Sequence, residues 1–474
     1  MRTLSGFIIG LGLLALAGTA VAQARPTPRV GAEPQAVRFD PEAATESYLA
    51  QLSPEQRGRS DAYFEGGYWL PLWVFLCGLL IAGFALFSRL SVRMRNLAER
   101  MTRFRPLQTL LYGLQYILYG AVLSFPLTFY GSFFREHQYG LSSQPFPAWM
   151  GDQLKGLTVL LVMGGLALMG LYAILRRTPR TWWLWGAAVS LLFLVVVIAL
   201  IPIFIAPIFN KYTELRDPAV RESILSLARA NGIPAKHVYV MDASRQTNRV
   251  SANVSGLLGT TRIVLNDNLL RRVSPAGVEA AMGHEMGHYV LDHVYKRLLY
   301  FTVVLLVGFA FLRWAFDRAT ARWGERWGIR GVADPASLPL LAILFSFYLF
   351  ILTPFNNTFT RTNEAEADIF GLNAAREPDG MAEVAMKLSE YRKLAPGPME
   401  EWLFFDHPSG RSRILMAMRW KAEHLNDPGV SSAGTGLPVF PVRSEMGLGS
   451  QGPDRGGTPL VIRPPPPPDT AGDS

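Results

Sequence analysis

The chain has 474 residues, half of them hydrophobic, with 46 basic and 37 acidic side chains and a formal net charge of +9. Its charges fall in blocks between long apolar runs. That excludes an ordinary soluble domain and turns the positive balance into a question of loop orientation and lipid head groups, not of nucleic acid. The single cysteine, Cys77, lies inside an apolar run, so no intramolecular disulfide can form and any metal must be held by nitrogen and oxygen.

Taken in order, residues 1–24 carry Arg2, an apolar stretch from Phe7 to Ala17 and small residues from Ala20 to Ala24, the pattern of a signal peptide; the rival reading is an uncleaved first membrane helix. Residues 25–66 are polar and read as a tether with one helix from Pro41 to Leu52. Within 67–209, four charge-free runs follow, at Tyr68 to Ser88, Leu107 to Phe134, Gly156 to Leu175 and Trp182 to Phe209. Each is long enough to cross a hydrocarbon core of about 30 Å as a helix.

Residues 210–297 change character and predict a small α+β domain. It holds a helix over Pro218 to Asn231, a strand from His237 to Met241, and two more strands at Val250 to Gly256 and Thr261 to Leu265, turning at Gly259. Ser274 as N-cap and Pro275 at the first helical position open a helix expected to reach about Lys296. Residues 298–359 hold two more apolar runs, Leu298 to Leu312 and Leu338 to Phe359, around a basic loop from Arg313 to Asp334. Residues 360–426 predict helices at Arg361 to Arg376, Gly380 to Leu394 and Arg411 to His424, and the Gly- and Pro-rich residues 427–474 read as a disordered tail.

The motif around which the chain is organised is Gly283-His284-Glu285-Met286-Gly287-His288. Imidazoles four apart on a helix can face one ion, and the glutamate between them is placed to take a proton from attacking water. A catalytic zinc has three protein ligands and an open position. Candidates for the third are His293, Asp292 and the carboxylates of Glu364, Glu366 and Asp368. His293, five residues past His288 on one continuous helix, would point away from the ligand face and reads as a polar position at the helix end. Spacing alone does not choose between Glu364 and Glu366.

Together with that motif, Glu136-His137-Gln138-Tyr139-Gly140, Arg262 through Asp267, Thr353-Pro354-Phe355-Asn356, Arg361 through Asp368, and His407-Pro408-Ser409 leading to Arg413 resemble the integral-membrane zinc metalloproteases typified by the type I CAAX prenyl endopeptidase. The resemblance covers roughly Tyr68 to His424. It implies a mainly α fold: a multi-pass membrane helix bundle enclosing a chamber, with a small α+β zincin-like catalytic domain. It also implies one Zn2+ per chain held by His284, His288 and Glu364, and Asp368 orienting a ligand imidazole. Ser251, Ala252 and Asn253 then fall on an edge strand that pairs with substrate, and His407 and Arg413 line the cleft, His407 as oxyanion stabiliser. Ser251 and Asn253 depart from the family's usual residues there.

The expected activity is metal-dependent peptide-bond hydrolysis, with Glu285 as base. The partners are membrane lipids and a peptide or protein substrate, either a prenylated C-terminal peptide or a damaged membrane or secreted protein. The alternative is a non-enzymatic membrane scaffold with a structural zinc; the lack of cysteine ligands and the intact Glu285 argue against it. Six arginines between Arg89 and Arg105, three from Arg176 to Arg180 and five from Arg313 to Arg330 mark one set of loops as cytoplasmic. The zinc domain then faces the other side of the inner membrane of a bacterium. The prenyl protease resemblance suggests the reverse, and Lys211, Lys296 and Arg297 flank the membrane on the zinc side.

Overall fold

The computed structural model describes residues 39–255 and 261–427. The expected leader over 1–24, the turn at Gly259 and residues 428–474 of the expected tail lie outside the described residues. The chain opens with α1 (Pro41–Leu49) and α2 (Pro54–Phe87), a 34-residue helix with Ser53 and Gln56 forming a reciprocal capping box. At 1.5 Å per residue α2 is about 51 Å long, well beyond the hydrocarbon thickness. Its first turns lie in what reads as a tether from the sequence; the run of polar residues hides a helix because its capping signal stands thirteen residues before the apolar stretch at Asn- and charge-free Gly66 to Phe87.

The short amphipathic α3 (Leu90–Met101) leads to α4 (Arg105–Gln138), α5 (Phe146–Arg177) and α6 (Trp182–Phe209). With α2 these are four membrane crossings, and α10 (His293–Trp327) is a fifth. A sixth is bent by 52° between α11 (Leu338–Ile351) and α12 (Thr353–Ala375), with Pro354 in the first turn of α12. Within each crossing, between 0 and 28% of the most apolar stretch is buried against protein. Most of that surface is left to face lipid, and the crossings pack on one another through a cluster that includes Leu86, Tyr172, Trp182, Phe309 and Leu340. The protein is a mainly α, integral, multi-pass membrane protein.

Between α6 and α10 lies the soluble insert. Strands β1 (Tyr212–Glu214), β2 (Val238–Met241), β3 (Ala252–Ser255) and β4 (Arg262–Asn266) form one sheet in the order β1-β2-β4-β3. Only β2 and β4 are parallel, and the helix between β1 and β2 is α7 (Pro218–Ala230). In β4, Ile263 and Leu265 are fully buried and alternate with half-buried Arg262 and Val264, so one face of the sheet packs on α7 and α9 (Pro275–Val290) through Ile224, Met282 and Met286. The short α8 (Asp267–Arg272) separates β4 from α9. The remaining helices are α13 (Pro378–Leu388), α14 (Pro398–Phe404) and α15 (Gly410–Glu423).

Two of the boundaries that differ from the sequence expectation bear on the site. The motif helix α9 stops at Val290 and does not continue to Lys296, because Asp292 takes a left-handed backbone conformation (φ 57°) and starts the chain in a new direction at His293. From there α10 is helical through Trp327, so most of the basic segment from Arg313 is helix, not loop.

Candidate active site

Helix α9 begins as its sequence dictates: Ser274 Oγ accepts from Gly277 N at 3.1 Å, with Pro275 in the first turn. Its glycines decide where it docks. A Cβ on Gly283 would lie 3.0 Å from the Gly371 carbonyl oxygen, one on Gly287 would lie 3.1 Å from Ala367 Cα, and one on Gly371 would lie 2.7 Å from His284 N. Only hydrogen side chains allow α9 and α12 to approach backbone to backbone. That contact sets the histidines of one helix against the carboxylates of the other.

His284 Nε2 and His288 Nε2 are 3.2 Å apart, and the Glu364 carboxylate oxygens lie 3.2 Å from the first and 3.5 Å from the second. Tetrahedral ligands about 2.0–2.1 Å from a zinc ion sit about 3.3 Å from one another. The donor set therefore fits a single metal ion, and His284, His288 and Glu364 are the group that could hold it. Glu366, the competing carboxylate, faces away and pairs with Lys296 at 2.6 Å.

Each imidazole is held through its other nitrogen. His284 Nδ1 donates to Asp368 Oδ1 at 2.7 Å, and Asp368 is gripped by Arg413 through Nε (2.8 Å) and Nη2 (2.5 Å). Burial opposes the charge on Arg413, but Asp368 more than offsets it and raises its pKa. Arg413 lines the cavity, where the resemblance puts it, and two of its nitrogens are engaged by Asp368. His288 Nδ1 shares a hydrogen bond with His293 Nδ1 at 2.8 Å, and His293 Nε2 reaches Glu366 at 3.1 Å. His293 is thus no solvated helix end: it is 2% exposed and fixes the second imidazole. The break at Asp292 turns it back towards the site, which spacing on one unbroken helix could not foresee.

Glu285 has no hydrogen-bond or ion-pair partner among the described residues, and it lines a cavity of about 1440 Å³. Burial pushes its carboxyl up, His284 and His288 pull against that, and Glu364 adds to the rise. His407 also lines the cavity, with Nδ1 2.7 Å from Asp406 Oδ1 and Nε2 3.3 Å from Glu364 Oε2. Ser251, Ala252 and Asn253 form part of the opposite wall, and Leu194, Ile198 and Ile203 of α6 bring membrane-helix surface into it.

Strand β3 is at the end of the sheet order, and its backbone is half spoken for. Ser251 O accepts from Asn266 N at 2.9 Å, so in the antiparallel ladder Ser251, Asn253 and Ser255 bond to β4 while Ala252 and Val254 turn their N–H and C=O groups outward to the cavity. The approach to β3 is pinned by residues from four elements. Asn266 Nδ2 and Asn268 Nδ2 donate to Arg249 O, and the Arg249 side chain binds Glu136 (2.7 Å) and the Tyr63 hydroxyl (2.6 Å). Arg249 and Tyr63 carry no local sequence signal; Glu136, inside its five-residue motif, and Asn266, inside Arg262 through Asp267, are within reach of the sequence.

With this geometry in place, the comparisons are decisive. Peptidase family M48 matches residues 214–421, and the CAAX prenyl protease N-terminal domain of five membrane helices matches residues 45–211. The chain belongs to the CAAX prenyl protease family of M48 metallopeptidases. It is 29% identical to the uncharacterized metalloprotease YhfN of Bacillus subtilis over 78% of this chain and 85% of that protein. It is 27% identical to CAAX prenyl protease 1 of Saccharomyces cerevisiae, over 62% of this chain and 68% of the yeast protein. The crystal structure of Ste24p from S. mikatae superposes with a TM-score of 0.65 at 20% identity, covering 80% of this chain and 95% of Ste24p, and shares the fold. As an M48 family member the chain is a membrane metalloendopeptidase that acts on peptide or protein substrates, and the family implies a metal.

Proposed function

We propose that this protein is a zinc endopeptidase that cuts extended segments of damaged or unfolded membrane and secreted proteins. Its site faces away from the Arg-rich loops, outward from the plasma membrane, which is the inner membrane in a bacterium. The observation that carries the reading is the convergence of His284, His288 and Glu364 donor atoms, 3.2–3.5 Å apart, beside unpartnered Glu285 on the wall of a large cavity.

In this reading His284, His288 and Glu364 hold one zinc, which when bound supplies Lewis acidity towards the scissile carbonyl and the attacking water. Asp368, backed by Arg413, keeps the His284 ring turned with Nε2 to the site, and His293 does the same for His288. Glu285, with its carboxyl pushed up by burial, takes the water's proton and passes it to the leaving amine. Ala252 and Val254 offer one strand edge to the substrate backbone, with Ser251 and Asn253 flanking. His407, steadied by Asp406, stabilises the oxyanion. Prenylated C-terminal peptides, after which several relatives are named, are the competing class; an outward-facing site separates the enzyme from lipid attachment in the cytosol.

The test is cleavage by purified protein in detergent, wild type beside Glu285→Gln, with metal content assayed on both and an unfolded protein and a prenylated peptide as substrates. The expected result is one zinc in each, cleavage of the unfolded protein by wild type, and a loss of about 10²–10⁴-fold or more in kcat for the variant. Equal rates in the two proteins would overturn the role of Glu285, and cleavage of the prenylated peptide alone would overturn the substrate assignment.

A further inference from the structure

The cavity wall carries more cations than acids. Its lining includes two acids, Glu285 and Glu364, both part of the site described above, against the bases Lys236, Arg262, Arg297, Arg392 and Arg413. Arg413 is taken by Asp368, and Arg262 donates to Pro202 O and lies over the rings of Tyr212 and Tyr239. Lys236 and Arg297 also lack a partner among the described residues, but both are exposed. Arg392 is different. Its guanidinium has five donors and makes no hydrogen bond or ion pair among the described residues, although it is half-buried beside His407. Burial works against its charge, and the opposing influence comes from Asp406 and Glu364. Neither pairs with it: Asp406 Oδ1 is engaged by His407, and Glu364 faces His284 and His288.

The backbone around it is fixed. Lys393 reaches Glu65 (2.6 Å) and Glu400 (2.8 Å), Ser60 Oγ donates to Arg392 O, and Tyr391 is buried with its hydroxyl 3.5 Å from Val250 O. A guanidinium left without a partner on so constrained a segment is preorganised for a ligand that brings its own negative charge. Its place along the strand edge says which part of a peptide that is. Antiparallel pairing is the more stable arrangement per residue, and a peptide added antiparallel to β3 runs its C-terminal half past Ser251 towards Val250, where Tyr391 and Arg392 lie.

We propose that Arg392 is a specificity-determining residue that binds a carboxylate of the substrate on the C-terminal side of the scissile bond. The carboxylate is either the free chain terminus or an acidic side chain. This rests on the protease reading for its substrate class, and its test is a binding measurement that stands apart from cleavage.

The protein used is full-length Glu285→Gln in detergent, with zinc content measured for each preparation. The probes are one fluorescent peptide with a free C-terminal carboxylate, the same peptide as its C-terminal amide, and the amide carrying one internal Glu. A peptide that offers the carboxylate is expected to bind at least about 10-fold more tightly than the uncharged amide, and which of the two acids does so identifies the source. Adding Arg392→Gln is expected to bring that ratio to about one at unchanged zinc content, while Arg392→Lys keeps part of it because the charge remains. Equal binding of all three peptides to the protein with Arg392 intact would overturn the proposal without any further variant. So would a preference that survives Arg392→Gln. Cleavage of the same peptides by wild type tests the protease reading separately.

Discussion

Gly371 shows how little separates a working site from a displaced one. A methyl group there would meet the His284 backbone nitrogen at 2.7 Å, and backbone cannot swing aside as a side chain can. Gly371→Ala is expected to spread α9 from α12, weaken zinc binding and lower kcat/KM by about 10²-fold, the usual consequence of misplacing catalytic groups by about 1 Å. Gly170→Ala, where nothing lies within 4 Å, is the control and should leave both unchanged. Zinc affinity and peptide hydrolysis on the two variants check this. The same contact explains what the sequence reading could and could not reach. His284, Glu285 and His288 are legible because all three sit within one helical turn. Glu364 and Glu366 are two residues apart, about 200° around a helix, so choosing between them needs the rotation of α12 against α9, which only the glycine contact defines. His293 was misplaced because the helix was taken as unbroken through Asp292.

At the scale of elements, the exposed edge of β3 and the far end of the bundle make opposite demands. Ala252→Pro removes one outward N–H and no ladder bond to β4, a substitution that an edge strand tolerates. The expected outcome is a rise in KM of about 10-fold, worth about one hydrogen bond of 1–1.5 kcal/mol, with the thermal melting temperature nearly unchanged. On the other side of the membrane, α3 is locked to the start of α11 by Arg95, whose Nη1 is 2.6 Å from Asp334 with both side chains nearly inaccessible. Arg95→Leu strands a buried carboxylate, and a loss of about 3–5 kcal/mol in stability is expected, read as a lowered melting temperature in detergent. The membrane crossings were legible because their apolar runs are long and uncharged. The Arg95–Asp334 pair was not, because 239 positions separate its members and neither has a local pattern.

Considered whole, the molecule gathers its Arg-rich loops at one end. Every crossing enters or leaves so that Ser88 to Phe104, Thr178 to Thr181 and Gly328 to Ser337 gather at the end opposite the sheet and the histidines. With Cys77→Ser as background, a cysteine at Arg180 and one at Lys236 are expected to react with a membrane-impermeant maleimide from opposite sides of a sealed vesicle, Lys236→Cys from outside the cell. Labelling of both from one side would overturn the topology, and the reverse sidedness would overturn the outward orientation. The third metal donor also has a place in time. His284, Glu285 and His288 leave the ribosome before Glu364, which follows only after α10 and α11 have been made. A growing chain therefore holds the two imidazoles and the base without the carboxylate that completes the metal-binding set. On the proposed ligand set, hydrolytic competence is expected only once the last crossing is inserted and Gly371 of α12 packs on α9, which would keep the protease silent for as long as it is itself an unfolded membrane protein.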